Sequence, residues 1–239
     1  VSARLVKWDK DDKKPVGEVT AIMSQEDEND AAMKELLAQA GFPLFFPQDV
    51  LEAAEKLPVV LDEAEIAKRR DCRDIKTFTI DPVDAKDFDD ALSIRKLPSG
   101  LYEIGVHIAD VSYYVLPDTD LDAEAYKRAT SVYLPDRVNP MLPEKISNEL
   151  CSLRPNEDKF TFSAIFQIND EAQVKQYWLG RTVIHSDKRY AYEDVQTIID
   201  TSEGENADDI LLLHSLAQKL RQARFKKGAI NFSSQEVRF

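Results

Sequence analysis

The sequence predicts an α+β fold with a largely antiparallel sheet, and three features carry that prediction. Residues 101–108 and 160–169 alternate apolar and polar side chains with the period of two expected of a strand, each with a partner strand close by in sequence. Residues 30–40 and 208–226 instead repeat apolar side chains at helical spacing. The two patterns are mixed along the chain rather than strictly alternating, which argues against a regular parallel sheet.

The first elements are two strands, Arg4 to Trp8 and Pro15 to Ile22, joined by the charged turn DKDDKK. A lone hairpin is marginal in water, so these strands are expected to belong to a larger sheet. A helix follows from Asp30, with Met33, Leu36, Leu37 and Ala40 on one face and Gly41 as its stop. A second helix is expected from Pro47 to Leu57 and a short charged third from Glu63 to Arg70, all read as connector and packing.

Farther on, Leu92 to Lys96 and Leu101 to Ile108 form a hairpin around LPSG. Tyr102, Ile104, Val106 and Ile108 fall on one face and Glu103, Gly105 and His107 on the other. A lone histidine in a strand is most often structural. Asp120 to Thr130 reads as helix, Ser131 to Pro135 as strand, and Phe160 to Asn169 as a strand burying Phe160, Phe162, Ala164, Phe166 and Ile168. Val174 to Ile184 is its partner. A helix from Asp208 to Lys226 turns Ile210, Leu213, Leu216, Ala217 and Leu220 inward, and INFSSQEVRF begins a new strand region.

Composition bounds the rest. The 239 residues suffice for one large or two modest domains, and 43% hydrophobic with 31% charged residues is a globular balance. No apolar run approaches the roughly 18 residues a membrane span needs. Net charge is −13, which counts against tight non-specific binding of nucleic acid through phosphates. Cys72 and Cys151 form no disulfide framework or CxxC pair, so a reducing cytoplasm is expected.

One stretch departs from this ordinary pattern: Thr79 to Ala91, TIDPVDAKDFDDA, gathers Asp81, Asp84, Asp87, Asp89 and Asp90 around a single Lys86. Two like charges about 4 Å apart repel by roughly 4 kcal/mol at an effective dielectric of about 20. A solvated loop relieves this by splaying. Against splaying stand Phe78, Ile80, Phe88, Ala91, Leu92 and Ile94, which tether the loop to a core. Asp81 sits where a short strand, Lys76 to Ile80, meets Pro82, which biases it toward an extended conformation. Oxygen donors without nearby Cys or His favour magnesium or manganese over zinc. An EF-hand fails on spacing, and no phosphate-cradling glycine loop is present.

The acidic stretch resembles the signature of the ribonuclease II and ribonuclease R family of 3′-to-5′ exoribonucleases, whose catalytic domain is called RNB. Further matches follow in order: HIADVSYYV from His107, SVYLPDRVNPMLPEKISNELCSLRP from Ser131 and RYAYEDV from Arg189. The DxxDAKDFDDA form is closer to ribonuclease R. The resemblance implies the closing strands of an OB-type cold-shock domain over 1–24, a helical connector over 25–70 and the N-terminal part of an RNB catalytic domain over 71–239.

It also implies magnesium-dependent hydrolysis of single-stranded RNA to nucleoside 5′-monophosphates. Asp81, Asp87, Asp89 and Asp90 are the expected catalytic and metal-holding set, Asp84 a supporting group, and Tyr133 and Tyr192 the base-contacting aromatics. His107 and Asp110 are signature positions without an assigned catalytic role. Arg137, Arg154 and Lys159 are read either as phosphate contacts or as surface charges. The start at Val1 and the family's greater length suggest a fragment, of low or no activity alone and prone to self-association through unpaired strand edges. The alternative reading is a non-catalytic RNA- or metal-binding piece.

Overall fold

A seven-stranded mixed sheet forms the frame, described in a computed structural model that covers residues 2–9, 14–21 and 28–231. Before it come β1 (Ser2–Lys7) and β2 (Val16–Ala21), an antiparallel pair whose described side chains are exposed, and α1 (Glu28–Gln39), α2 (Gln48–Glu55) and the single turn α3 (Glu63–Ile66). Gly41, at φ 83°, provides the left-handed residue that ends the first helical segment. The third helix is shorter than its charged pattern suggested, because Arg70 and Asp71 leave it to form β3 (Arg70–Asp71).

The sheet continues with β4 (Thr77–Asp81), β5 (Asp90–Lys96) and β6 (Tyr102–Ala109). One-turn α4 (Val111–Tyr114) and α5 (Asp120–Arg128) follow. The Thr119 hydroxyl caps α5 by accepting from the Asp122 amide. A small hairpin, β7 (Val132–Tyr133) and β8 (Val138–Asn139), leads to a π-helical turn (Lys145–Leu150). The long strands β9 (Glu157–Ile168) and β10 (Val174–Ser186), then β11 (Lys188–Ala191), complete the sheet. Helices α6 (Tyr192–Thr201) and α7 (Ala207–Lys226) close the described chain. The strand region expected from residue 230 lies almost wholly outside the described residues.

Strand order is β11-β4-β5-β6-β9-β10-β3. Only the outermost pairs, β11 with β4 and β10 with β3, are parallel. The predicted α+β class with a mostly antiparallel sheet is therefore correct.

The prediction of which faces are buried needs correction. Helices α6 and α7 cover one side of the sheet, packing Ile198, Ile210 and Leu216 on Phe78, Ile94, Ile104, Ile168 and Tyr190. Ile108 and Phe162, on that same apolar face but beyond the helices, stay 49% and 50% exposed. Leu220 and Ala217, expected inward, are also exposed. The opposite face carries the polar alternates and is the more deeply buried. Ser93, His107, Thr161, Ser163 and Thr182 lie beneath the layer built from α2, α5 and the π-helical turn.

Burial of those groups is made tolerable by mutual hydrogen bonds. His107 joins Ser163 through Nδ1 at 2.6 Å and Ser93 through Nε2 at 2.8 Å. Gly105 is necessary beside this ring, since a Cβ there would overlap His107 Nε2 and Ser93 Oγ. Arg69 forms a 2.7 Å ion pair with Asp110, both side chains almost wholly buried, and lies over the Phe160 ring at 4.1 Å. A region read as connector thus supplies a core cation.

Candidate active site

The acidic loop sits where β4 and β5 part. Their ladder covers only Thr77↔Ser93 and Phe78↔Leu92, after which β4 runs on to Asp81 and β5 begins at Asp90. The intervening residues cannot pair with a neighbour strand, so the loop is held by other means. Phe88 and Ala91 are buried in the main core. The Ala109 amide donates to the Asp89 carbonyl at 3.0 Å, and Arg189 donates to the Pro82 carbonyl while lying over the Phe88 ring. Tethering by apolar flanks, as the sequence implied, is what the structure contains.

The carboxylates share one electrostatic environment. Burial raises the pKa of Asp81, and the charges of Asp90 and Asp87 add to it, against lowering by the Thr79 hydroxyl and the Arg189 cation. Asp89 is raised likewise although its surface stays accessible, first by partial desolvation from the crowded protein around it and then by the charges of Asp87, Asp90 and Asp81. Asp81 Oδ2 is buried and has no hydrogen-bond partner. Asp84 is exposed.

Do these residues suit a hard cation? The donor set does: it is all oxygen, one buried oxygen is unsatisfied, and like charges are confined together. A finished cage is not preformed, since among the described residues no three acid, histidine or cysteine groups are close enough to hold one ion.

Tyr133 stands above this loop. It is 67% exposed, and its hydroxyl donates to Asp87 Oδ2 across a long 3.4 Å. Its hairpin is rooted from behind: Arg128 Nη1 donates to Asn139 Oδ1 and to the Pro140 carbonyl, and Asn139 Nδ2 donates to the Pro43 carbonyl. Tyr192 is 55% exposed and opens α6, one residue after Ala191, the partner of Asp81 in the β11–β4 ladder. The four aspartates are therefore within electrostatic reach of one another without forming a common cage, Tyr133 meets Asp87, and Tyr192 follows from the strand that borders them.

The three cations considered for phosphate contact are already engaged. Arg137 pairs with Asp30 and Asp136, Arg154 with Glu157, and Lys159 with Glu157 and the Glu149 carbonyl. Two residues went unnoticed in the sequence: Arg189, which is the cation under the loop, and Ser152, 64 positions from the amide it bonds. Arg189 lay inside a recognised motif, but nothing local marked Ser152.

Residues 69–239 match the RNB domain family. The chain belongs to the RNB-domain family. The RNB domain match is accompanied by 42% identity over 228 residues to ribonuclease R 1 of Lactococcus lactis, covering 93% of this chain and 28% of that protein. Ribonuclease R of Thermotoga maritima is 39% identical, over 100% of this chain and 35% of its own length. The chain thus spans about a third of the curated relatives it matches.

Among solved structures, Mycoplasma genitalium RNase R in complex with double-stranded RNA superposes with a TM-score of 0.86 at 28% identity. That match covers 98% of this chain and 42% of the other. The similarity to ribonuclease R accords with the motifs, and DIS3-like exonuclease 2 of Xenopus tropicalis is 37% identical over 97% of this chain and 30% of its own length. Among the described residues, no helix is long and apolar enough to cross a membrane.

Proposed function

We propose that this chain supplies the acidic half of the active site of a hydrolytic 3′-to-5′ exoribonuclease that degrades single-stranded RNA to nucleoside 5′-monophosphates. The observation that carries the reading is the electrostatic convergence of Asp81, Asp87, Asp89 and Asp90 at the parting of β4 and β5. The kinship with ribonuclease R supports the substrate class.

In the proposed reaction, water adds to the phosphorus of the 3′-terminal phosphodiester. The bond from phosphorus to the O3′ of the preceding nucleotide breaks, and that oxygen takes a proton. A magnesium ion, or manganese in its place, held by Asp81, Asp87, Asp89 and Asp90, would supply Lewis acidity and lower the pKa of the attacking water. Tyr133 and Tyr192 offer exposed rings on which bases stack, a contact that tolerates any sequence. The negative net charge makes screening of RNA repulsion by such cations more important. We assign β1 and β2 to the close of an OB-type cold-shock domain and the protein to the cytoplasm on the same reading.

The test is product analysis with 5′-labelled single-stranded RNA and the full-length gene product. Shortening from the 3′ end with release of 5′-monophosphates supports the proposal. Endonucleolytic products or 3′-monophosphates would refute it. A second reading is a metal- or RNA-binding piece without turnover. It is distinguished by RNA and cation binding that persist without hydrolysis.

A further inference from the structure

The peptide on either side of Asp87 is fixed by one distant side chain. Ser152 Oγ accepts from the Phe88 amide at 3.1 Å and donates to the Lys86 carbonyl at 2.9 Å. The next residue extends the clamp, because the Leu153 amide donates to the Phe88 carbonyl at 2.9 Å. Ser152 and Leu153 are both fully buried. Thus the Lys86 carbonyl and both polar groups of Phe88 are held by residues 152–153, while the Asp87 side chain between them is free to reach Tyr133.

We infer that Ser152 is a positioning residue for the acidic loop: it sets the backbone on both flanks of Asp87 so that this carboxylate faces its neighbours for cation binding. This rests on the proposed function of the aspartates. The physical basis is a balance of forces. Like charges in the loop push it toward a splayed form, and a buried hydroxyl that serves as donor and acceptor at once opposes that spread with two directional bonds. Removing it leaves a buried amide and a buried carbonyl to find new partners. Lys86, Asp87 and Phe88 are then released together.

The experiment is a titration with Mn²⁺ alone, following the free ion by electron paramagnetic resonance, on wild type, Ser152→Ala, Ser152→Cys and Ser152→Thr. Circular dichroism and near-ultraviolet spectra establish that each variant is folded. Ser152→Ala and Ser152→Cys are expected to bind Mn²⁺ roughly 10-fold more weakly, the scale on which groups supporting a metal ligand act. Ser152→Thr, which keeps the hydroxyl, recovers most of the affinity. In an Asp87→Asn background the Ser152→Ala loss shrinks, since the two changes act through one group.

Wild-type affinity in folded Ser152→Ala would overturn the inference and leave the proposed function standing. So would an equal loss with Asp87 present or replaced. Failure of Ser152→Thr to recover, with its fold intact, also contradicts a role for the hydroxyl. An absence of Mn²⁺ binding by wild type removes the metal reading itself, and the inference falls with it.

Discussion

Ala191 lies directly opposite Asp81 across the parallel pair of β11 and β4, and the chain turns into α6 at the next residue. This one register puts an exposed aromatic residue, Tyr192, one position beyond the partner of the acid that ends the neighbouring strand. Replacing Tyr192 or Tyr133 by Ala is expected to weaken binding of single-stranded RNA by about 1–3 kcal/mol, with phenylalanine near wild type. Fluorescence anisotropy with labelled RNA in a chelator measures it. Equal loss in the Phe and Ala variants would argue against stacking.

The acidic loop should make the protein less stable as it ionises. Asp81 and Asp89 have pKa values raised above 3.8. A carboxyl raised on folding contributes stability that is present below its unfolded value and lost as pH rises through its folded value. Asp89→Asn, which mimics the protonated acid, should therefore melt no lower than wild type at neutral pH in a chelator. The advantage disappears at about pH 3.8 and below, and magnesium narrows it. A lower melting temperature for Asp89→Asn at neutral pH would contradict this.

His107 produces the opposite slope. Burial lowers its pKa from 6.5 to about 4, so it is neutral in the folded chain. Stability from this group is present above pH 6.5 and lost as pH falls toward 4. Between neutral pH and the lower value the loss amounts to about 3 kcal/mol. Urea unfolding of wild type and His107→Gln across that window tests it, the variant showing the shallower decline.

The buried pair Arg69–Asp110 should punish single replacements. Arg69→Ala leaves the buried Asp110 carboxylate with only the more distant Arg181, at 3.6 Å, as its cation and the Ser112 hydroxyl as a donor, at a cost of about 3 kcal/mol. Chemical denaturation gives the value. A cost under about 1 kcal/mol would indicate that water reaches the site.

Periodicity revealed most elements but misjudged their environment. The strands around LPSG and the long pair β9–β10 were legible because alternation is a local signal. The same alternation suggested that Phe162 and Ile108 were interior, whereas Thr161, Ser163 and His107 are, because hydrogen bonds among polar residues from separate strands make their burial possible. Helix α6 escaped notice, its start being embedded in a motif read for Tyr192. The candidate acids were legible as a short run of unusual charge density. Ser152 was not, since its role exists only after residues 64 positions apart meet.

The most direct measurement is magnesium-dependent release of nucleoside 5′-monophosphates from single-stranded RNA by the full-length gene product, with Asp89→Asn alongside it. Release by wild type is expected and should stop with chelator. Folded Asp89→Asn should lose more than about 100-fold of that activity, beyond the range of supporting residues. Turnover by Asp89→Asn at the wild-type rate, or unchanged turnover in chelator, would contradict the assignment of the acidic loop.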